Sequence, residues 1–182
     1  MRSLSAATHS VAAPEYMSAM AQHVSSVCVI TTQVDGDKYG FTATAVTSVT
    51  ADPPRLLVCA NRSGSTHSKL LQSRCFCVNV LTEDQDKVAM VFAGMGGRRL
   101  DRFADAEWME LMTGAPALKG AAANFDCVLT ETCEQSTHSV LFGDVVAARH
   151  RTGVDTLLYG GRRFRQLRKI FAAYGDATGE YL

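Results

Sequence analysis

The stretch Gly40-Phe41-Thr42-Ala43-Thr44-Ala45-Val46-Thr47-Ser48-Val49-Thr50-Ala51-Asp52-Pro53-Pro54 limits the fold of this chain more than any other. It reads as a strand, a turn, a second strand and a stop. The stop is Asp52-Pro53-Pro54, since two successive prolines cannot sit in a central ladder. A core strand would carry Leu, Ile and Phe; here small hydroxylated side chains alternate with alanine. Such a segment suits an edge strand facing water. It also suits a backbone left open to a flat ligand, with hydroxyls as extra donors.

The rest of the chain supplies more strands. Pro14 to Val24 reads as a helix with Tyr16, Met17, Met20 and Val24 on one stripe. Ser25 to Val34 is a β-branched strand, and Asp35-Gly36-Asp37 turns it into the opening stretch. Arg55 to Ala60 is apolar on both faces, which predicts burial on both sides. Cys75 to Leu81 is a further strand, and Asp84 to Phe92 a short helix with Val88, Val91 and Phe92 on its apolar side. Trp108 to Leu111 and Pro116-Ala117-Leu118 supply apolar anchors around Gly114. Ala121 to Cys133 and Ser139 to His150 read as two long strands. Thr156 to Leu167 closes the pattern as a hairpin with a Gly160-Gly161 turn. Strands at this spacing, with few helices, predict a mainly β Greek-key or split barrel. One domain over 14–170 is expected, flanked by a flexible tail at 1–13 and a polar tail at 171–182.

Eighteen basic and eighteen acidic residues cancel, which argues against a general nucleic-acid or anionic-membrane binder. No apolar run approaches the ~18–20 residues of a membrane helix. The six cysteines form no Cys-x-x-Cys pair, so neither a zinc ribbon nor a thioredoxin motif is supported and no metal site is expected. Four of them, Cys28, Cys59, Cys77 and Cys127, sit in apolar runs, as free thiols do in a reducing cytoplasm.

One loop carries a polar cluster: Asn61-Arg62-Ser63-Gly64-Ser65-Thr66-His67. Ser65 or Thr66 is placed to cap a helix over Ser68–Gln72. Free N–H groups, hydroxyls and a guanidinium together suit a phosphate, although an ordinary capped turn has the same residues. The glycines of Gly94-Met95-Gly96-Gly97 follow a helix, and Arg99 stands where a dinucleotide loop needs its third glycine. A Rossmann reading is therefore discounted. Arg98, Arg99, Arg102 and Phe103 form a basic segment.

Taken in order, these pieces resemble one family. The set is Thr31-Thr32; Gly40-Phe41-Thr42-Ala43-x-Ala45-x-x-Ser48-Val49-Thr50-x-x-Pro53-Pro54; Leu57-Val58-Cys59 with Asn61-Arg62-Ser63; and Phe76-x-Val78-Asn79-Val80-Leu81. Phe92, Arg102-Phe103, Gly114-x-Pro116-x-Leu118-x-Gly120-Ala121, Thr137-His138 and Gly143-x-Val145 complete it. The chain resembles the flavin reductase family with the FMN-binding split-barrel fold, over about residues 16 to 167. Members include reductase components of two-component flavin monooxygenases. Gly40-Phe41-Thr42-Ala43 and Thr113-Gly114-Ala115-Pro116 are similar to the reductase of oxidative pyrimidine breakdown; other features are similar to the corrin reductase of cobalamin synthesis. Ser136-Thr137-His138 replaces the Gly-Asp-His of many relatives.

The resemblance implies hydride transfer from NADH or NADPH to FMN, with FAD as the other flavin, in a cytoplasmic homodimer that hands reduced flavin to a monooxygenase. Alternatives are reduction of a cob(II)alamin-type corrin and a non-catalytic flavin- or haem-binding role. On this reading Thr42, Ala43, Thr44, Ser48, Val49 and Thr50 lie along the ring and ribityl chain. Asn61, Arg62, Ser63, Ser65 and Thr66 hold the phosphate, with Arg102 adding charge. Phe92 completes the cofactor-binding set, and His138 is the catalytic candidate beside the nicotinamide or flavin edge.

Overall fold

The computed structural model describes residues 10–95 and 101–167. The expected tails fall largely outside them, as do Arg98 and Arg99. The described chain is built on β2 (Cys28–Val34), β3 (Asp37–Ala43), β4 (Val46–Ala51), β5 (Pro54–Asn61), β6 (Cys75–Val80), β9 (Ala123–Gln135) and β10 (His138–His150). These form one antiparallel sheet in the order β3-β2-β6-β9-β10-β5-β4. A three-stranded sheet adds β1 (Ser25–Ser26), β11 (Leu158–Gly160) and β12 (Arg163–Arg165), and a two-stranded one pairs β7 (Trp108–Glu110) with β8 (Pro116–Leu118). The helices are α1 (Ala13–Met20), α2 (His67–Ser73) and α3 (Asp86–Phe92).

The topology explains why the sheet must curl. β3 and β4 are its two edges, yet only Thr44 and Ala45 separate them in sequence. Two residues span at most ~7 Å, so the edges have to meet. Cys59 N donates to Ala45 O at 3.0 Å, which carries the β4–β5 ladder up to the two-residue link between the edges. The result is a barrel with a seam, as the strand pattern predicted.

The barrel interior is filled by Cys28, Ile30, Ala43, Leu56, Val58, Phe76, Val78, Leu129 and Leu141, and α2 sends Leu70 into the same core. Gly143 is required by this packing: a Cβ there would lie 2.5 Å from Phe76 Cζ. A second core lies on the other face of β2. It packs Val27, Val29, Leu81 and Leu157 against Phe92, Phe103 and Leu118. Between the layers, Asn79 Nδ2 donates to Val29 O and Thr31 Oγ1, while its Oδ1 accepts from Leu118 N and Asn124 Nδ2. That is a full set for a buried amide, and it accounts for the asparagine inside an apolar strand.

Several expectations need correction. β5 is buried on one face only: Leu56, Val58 and Ala60 point inward, whereas Leu57 and Cys59 stay half-buried. The first helix ends at Met20, and its stripe of Tyr16, Met17 and Met20 is exposed. The anchors around Gly114 are a true hairpin, β7–β8. The last turn is Gly161-Arg162, both at positive φ, as a two-residue hairpin loop requires. Gly160 belongs to β11, where a Cβ would meet Val24 Cγ2 at 2.7 Å.

Candidate functional site

β5 delivers the polar loop to one end of the barrel. Asn61 ends the strand and its Oδ1 accepts from Ser63 N and Ser63 Oγ, both at 2.9 Å, which shapes the turn. Gly64 N returns to Asn61 O. Thr66 precedes α2 but does not cap it; its hydroxyl donates to Gly40 O at 3.2 Å and ties the loop to β3. Ser65 is exposed, and its hydroxyl and N–H have no protein partner among the described residues.

A cavity of about 230 Å³ opens here, lined by Gly40, Phe41, Ala60, Asn61, Ser65, Thr66, His67 and Arg102. The structure thus brings Arg102, distant in sequence, to Asn61, Ser65 and Thr66 of the polar loop. Arg102 is set by its neighbours: Phe103 N donates to Asp101 Oδ1, and the Phe103 ring is buried against Phe92 and Trp108 with centroids 5.0 and 4.8 Å away. The Arg102 guanidinium is exposed, without a hydrogen bond or ion pair among the described residues.

Arg62 and Ser63 are otherwise engaged. Arg62 N donates to Thr137 O, its guanidinium donates to Ser136 O at 3.1 Å, and it pairs with Glu134 at 3.2 Å. It braces the β9–β10 turn. Phe92 is 3% exposed and lies inside the second core; it supports the site from behind.

The opening stretch is divided among surfaces. Thr42 Oγ1 donates to Ala89 O at 2.6 Å, so its hydroxyl is committed to α3. Ala43 points into the barrel core. Thr44 and Ala45 are exposed at the seam, and neither N–H has a partner among the described residues. Ser48 and Val49 are exposed on β4, where the register slips between Ser48 and Thr50 and leaves Val49 as a bulge. Thr50 Oγ1 exchanges hydrogen bonds with Asp52 at 3.2 Å and serves the turn. Ser48 and Thr50 border a separate groove of about 750 Å³ with Cys28, Val46, Leu56 and Phe125. Thr42, Ala43 and Thr44 border another, of about 380 Å³, beside Met90 and Phe164. The two segments do not line one pocket.

His138 opens β10 directly opposite Asn61. Their side chains share the outer face of the sheet, beyond rows made of Cys59, Val140 and Cys133 and of Leu57, Phe142 and Glu131. His138 is exposed, and its Nδ1 lies 2.9 Å from Thr137 Oγ1. It therefore reaches the same end of the sheet as the polar loop, without lining the loop's cavity.

Sequence reasoning missed His67 and Ser139. The sequence places His67 only at the end of the polar loop, next to the expected helix. His67 is 9% exposed, and its Nε2 lies 2.9 Å from the hydroxyl of Ser139, which is fully buried. The alternation along β10 held the signal: Ser139 falls on the inward register with Leu141. The thiols are inert by comparison. Burial pushes Cys28 and Cys127 up to about 12 and raises Cys77 as well, so all three stay protonated at neutral pH. Among the described residues no cluster of His, Cys, Asp and Glu could hold a metal ion, and no helix is long and apolar enough to cross a membrane.

Comparison with known proteins matches this arrangement. The flavin reductase like domain covers residues 20–168. The chain is 42% identical over 158 residues to the FMN reductase (NADH) RutF of Pantoea ananatis (strain LMG 20103), covering 87% of this chain and 83% of that one. The structure of the flavin reductase PheA2 in its native state superposes with a TM-score of 0.81 at 30% identity, over 87% of this chain and all of that one. BorF, the flavin reductase component of a bacterial two-component tryptophan halogenase, gives 0.79 at 32% identity, over 86% and 98%. With a split barrel whose seam and polar loop meet at one end, and a domain match spanning nearly its whole length, the chain belongs to the flavin reductase like family.

Proposed function

We propose that this protein is an NADH-dependent FMN reductase that releases reduced flavin to a partner oxygenase. The observation that carries the reading is the cavity where Ser65, Arg102 and Asn61 converge beside β3, the strand that leads into Thr44 and Ala45, whose N–H groups have no partner among the described residues. A phosphomonoester fits the first and the polar edge of a flat ring fits the second.

When bound, the flavin would supply the redox chemistry, as acceptor of a hydride from the nicotinamide. The chain's own residues bind and orient. Ser65 and the Arg102 guanidinium hold the phosphate oxygens, Arg102 as a charge-assisted donor. The Thr44 and Ala45 N–H groups would hold the polar edge of the ring and favour the charge it gains on reduction, as oxyanion donors do. His138 stands at the outer rim beside Asn61, where it meets the nicotinamide amide or ribose. FMN, which needs a single phosphate anchor, suits the small cavity.

Thr44 and Ala45 are exposed, so a ring placed there sits at the surface of the protomer. That supports an exchangeable flavin, and the likeness to BorF, the reductase component of a two-component enzyme, supports a separate partner that uses the reduced flavin. A homodimer fits the outer face of β5 and β10. Leu57, Cys59, Val140 and Phe142 are half-buried there, beside exposed Val128. A second copy on that face would border His138 and Asn61.

The deciding experiment follows NADH oxidation while FMN is titrated from none to excess. Oxidation that rises with FMN and saturates supports the reading. FMN binding without NADH consumption overturns it, and retires His138 as a catalytic residue.

A further inference from the structure

The imidazole of His67 has one nitrogen accounted for and one not. Nε2 lies 2.9 Å from Ser139 Oγ, and that is the only contact the Ser139 hydroxyl makes among the described residues. Ser139 is fully buried. Its hydrogen therefore has a single available acceptor, Nε2. Were Nε2 protonated instead, a buried O–H would be left without a partner and keep its full desolvation penalty. The favoured arrangement has Ser139 donating to Nε2, which places the imidazole proton on Nδ1. Nδ1 has no protein partner among the described residues, and it is not among the buried polar atoms left unsatisfied there. It is therefore not sealed inside the protein, and His67 lines the cavity together with Ser65, Asn61 and Arg102.

We propose that His67 is a cofactor-binding residue: its Nδ1–H donates to a phosphate oxygen of the flavin mononucleotide, and Ser139 is the positioning residue that fixes the tautomer. This rests on the phosphate reading of the cavity and adds a directed neutral donor to the charge of Arg102. Because the ring is nine-tenths buried, its donor is aimed before ligand arrives, whereas the exposed Ser65 and Arg102 must be ordered on binding. Ser139 follows His138 in β10, so the residue that positions the phosphate donor and the rim histidine are neighbours on opposite faces of one strand.

Two substitutions separate the nitrogens. In His67→Gln the amide reaches the Nε2 position, keeps Ser139 paired and loses the donor into the cavity. In His67→Asn the amide reaches the Nδ1 position and keeps that donor. The measurement is the ratio of riboflavin to FMN dissociation constants, read by flavin fluorescence, with wild type, Arg102→Gln and both His67 variants. His67→Gln should lower the preference for FMN about tenfold or more, as for a hydrogen bond to a charged group; His67→Asn should restore most of it. Long-range ¹H–¹⁵N spectra of the wild type should show the Nδ1–H tautomer, with Nδ1 shifting on addition of FMN and not of riboflavin. An Nε2–H tautomer overturns the proposal. So does a His67→Gln protein that keeps the wild-type preference while Arg102→Gln loses it, or one altered in KM for NADH alone. If wild type binds riboflavin as tightly as FMN, it is the phosphate reading itself that fails.

Discussion

Gly40 and Phe92 touch through an absence. A Cβ on Gly40 would stand 2.8 Å from Phe92 Cε1 and 3.0 Å from Ile30 O. The ring cannot retreat easily, since it packs edge-on against Phe103 and Trp108 at 5.0 and 5.7 Å. Gly40 also presents the carbonyl that receives Thr66. One contact thus fixes β3, the polar loop and, through Phe103, the segment carrying Arg102. Gly40→Ala should destabilise the fold by about 1–3 kcal/mol, the usual cost of overpacking. Urea unfolding would show this as a lower midpoint, and FMN affinity should fall with it.

The ring's place is tested at Thr44 rather than Ala43. Ala43 belongs to the barrel core, so Ala43→Trp should fail to fold and say nothing of ligand. Thr44→Trp puts the same bulk on the exposed seam. It should leave the circular dichroism and melting temperature near wild type and weaken flavin binding at least tenfold. Wild-type affinity in a folded Thr44→Trp protein would move the ring elsewhere.

Ser65→Ala should weaken FMN by a factor of about 3–10, the scale of one net hydrogen bond, and leave riboflavin unchanged. Equal losses for both ligands would remove Ser65 from the phosphate.

Asp126 is fully buried and accepts from Met112 N at 2.7 Å, Thr113 N at 2.8 Å and the Thr113 hydroxyl. It holds the turn that aims β8 into the second core. Asp126→Ala would strand two N–H groups, at about 1–3 kcal/mol each. Asp126→Asn keeps one acceptor and should lose less. Chemical denaturation of the two variants checks the order.

Alkaline pH should weaken the fold through its buried thiols. Cys28 and Cys127 stay protonated in the native state up to about 12, while in the unfolded chain they ionise near pH 8.5. Between those values the unfolded state binds fewer protons, so stability falls as pH rises, by about 1.4 kcal/mol per unit for each thiol. Below pH 8 the effect vanishes. Urea midpoints measured from pH 8 to 10.5 should decline in wild type and less steeply in Cys127→Ala.

The sequence made the strands legible wherever β-branched runs ended in Gly, Pro or Asp, as at Asp35-Gly36 and Asp52-Pro53. It hid β7 and β8, because three residues such as Trp108–Glu110 are too few to show alternation. Half-buried Leu57 and Cys59 read as core, since hydrophobicity does not tell an interior from an outer face. In the site, the polar loop and Arg102 could be named from residue type. The hydroxyls of Thr42 and Thr50 could not be discounted that way, because what removes them is a tertiary partner, Ala89 O, and a local turn. His67 escaped notice for the opposite reason: its meaning lies in Ser139, on a strand that joins it only in the folded barrel.

The position of β10 has a consequence for synthesis. It is the last strand of the large sheet to leave the ribosome, yet it lies between β9 and β5. The β4–β5 hairpin is complete by Asn61, but its free edge has no partner until His138 and the residues after it emerge. Such long-range pairing folds slowly and leaves a sticky edge exposed meanwhile. A stop codon or translational pause between residues 61 and 138 should yield aggregate rather than a soluble half-domain.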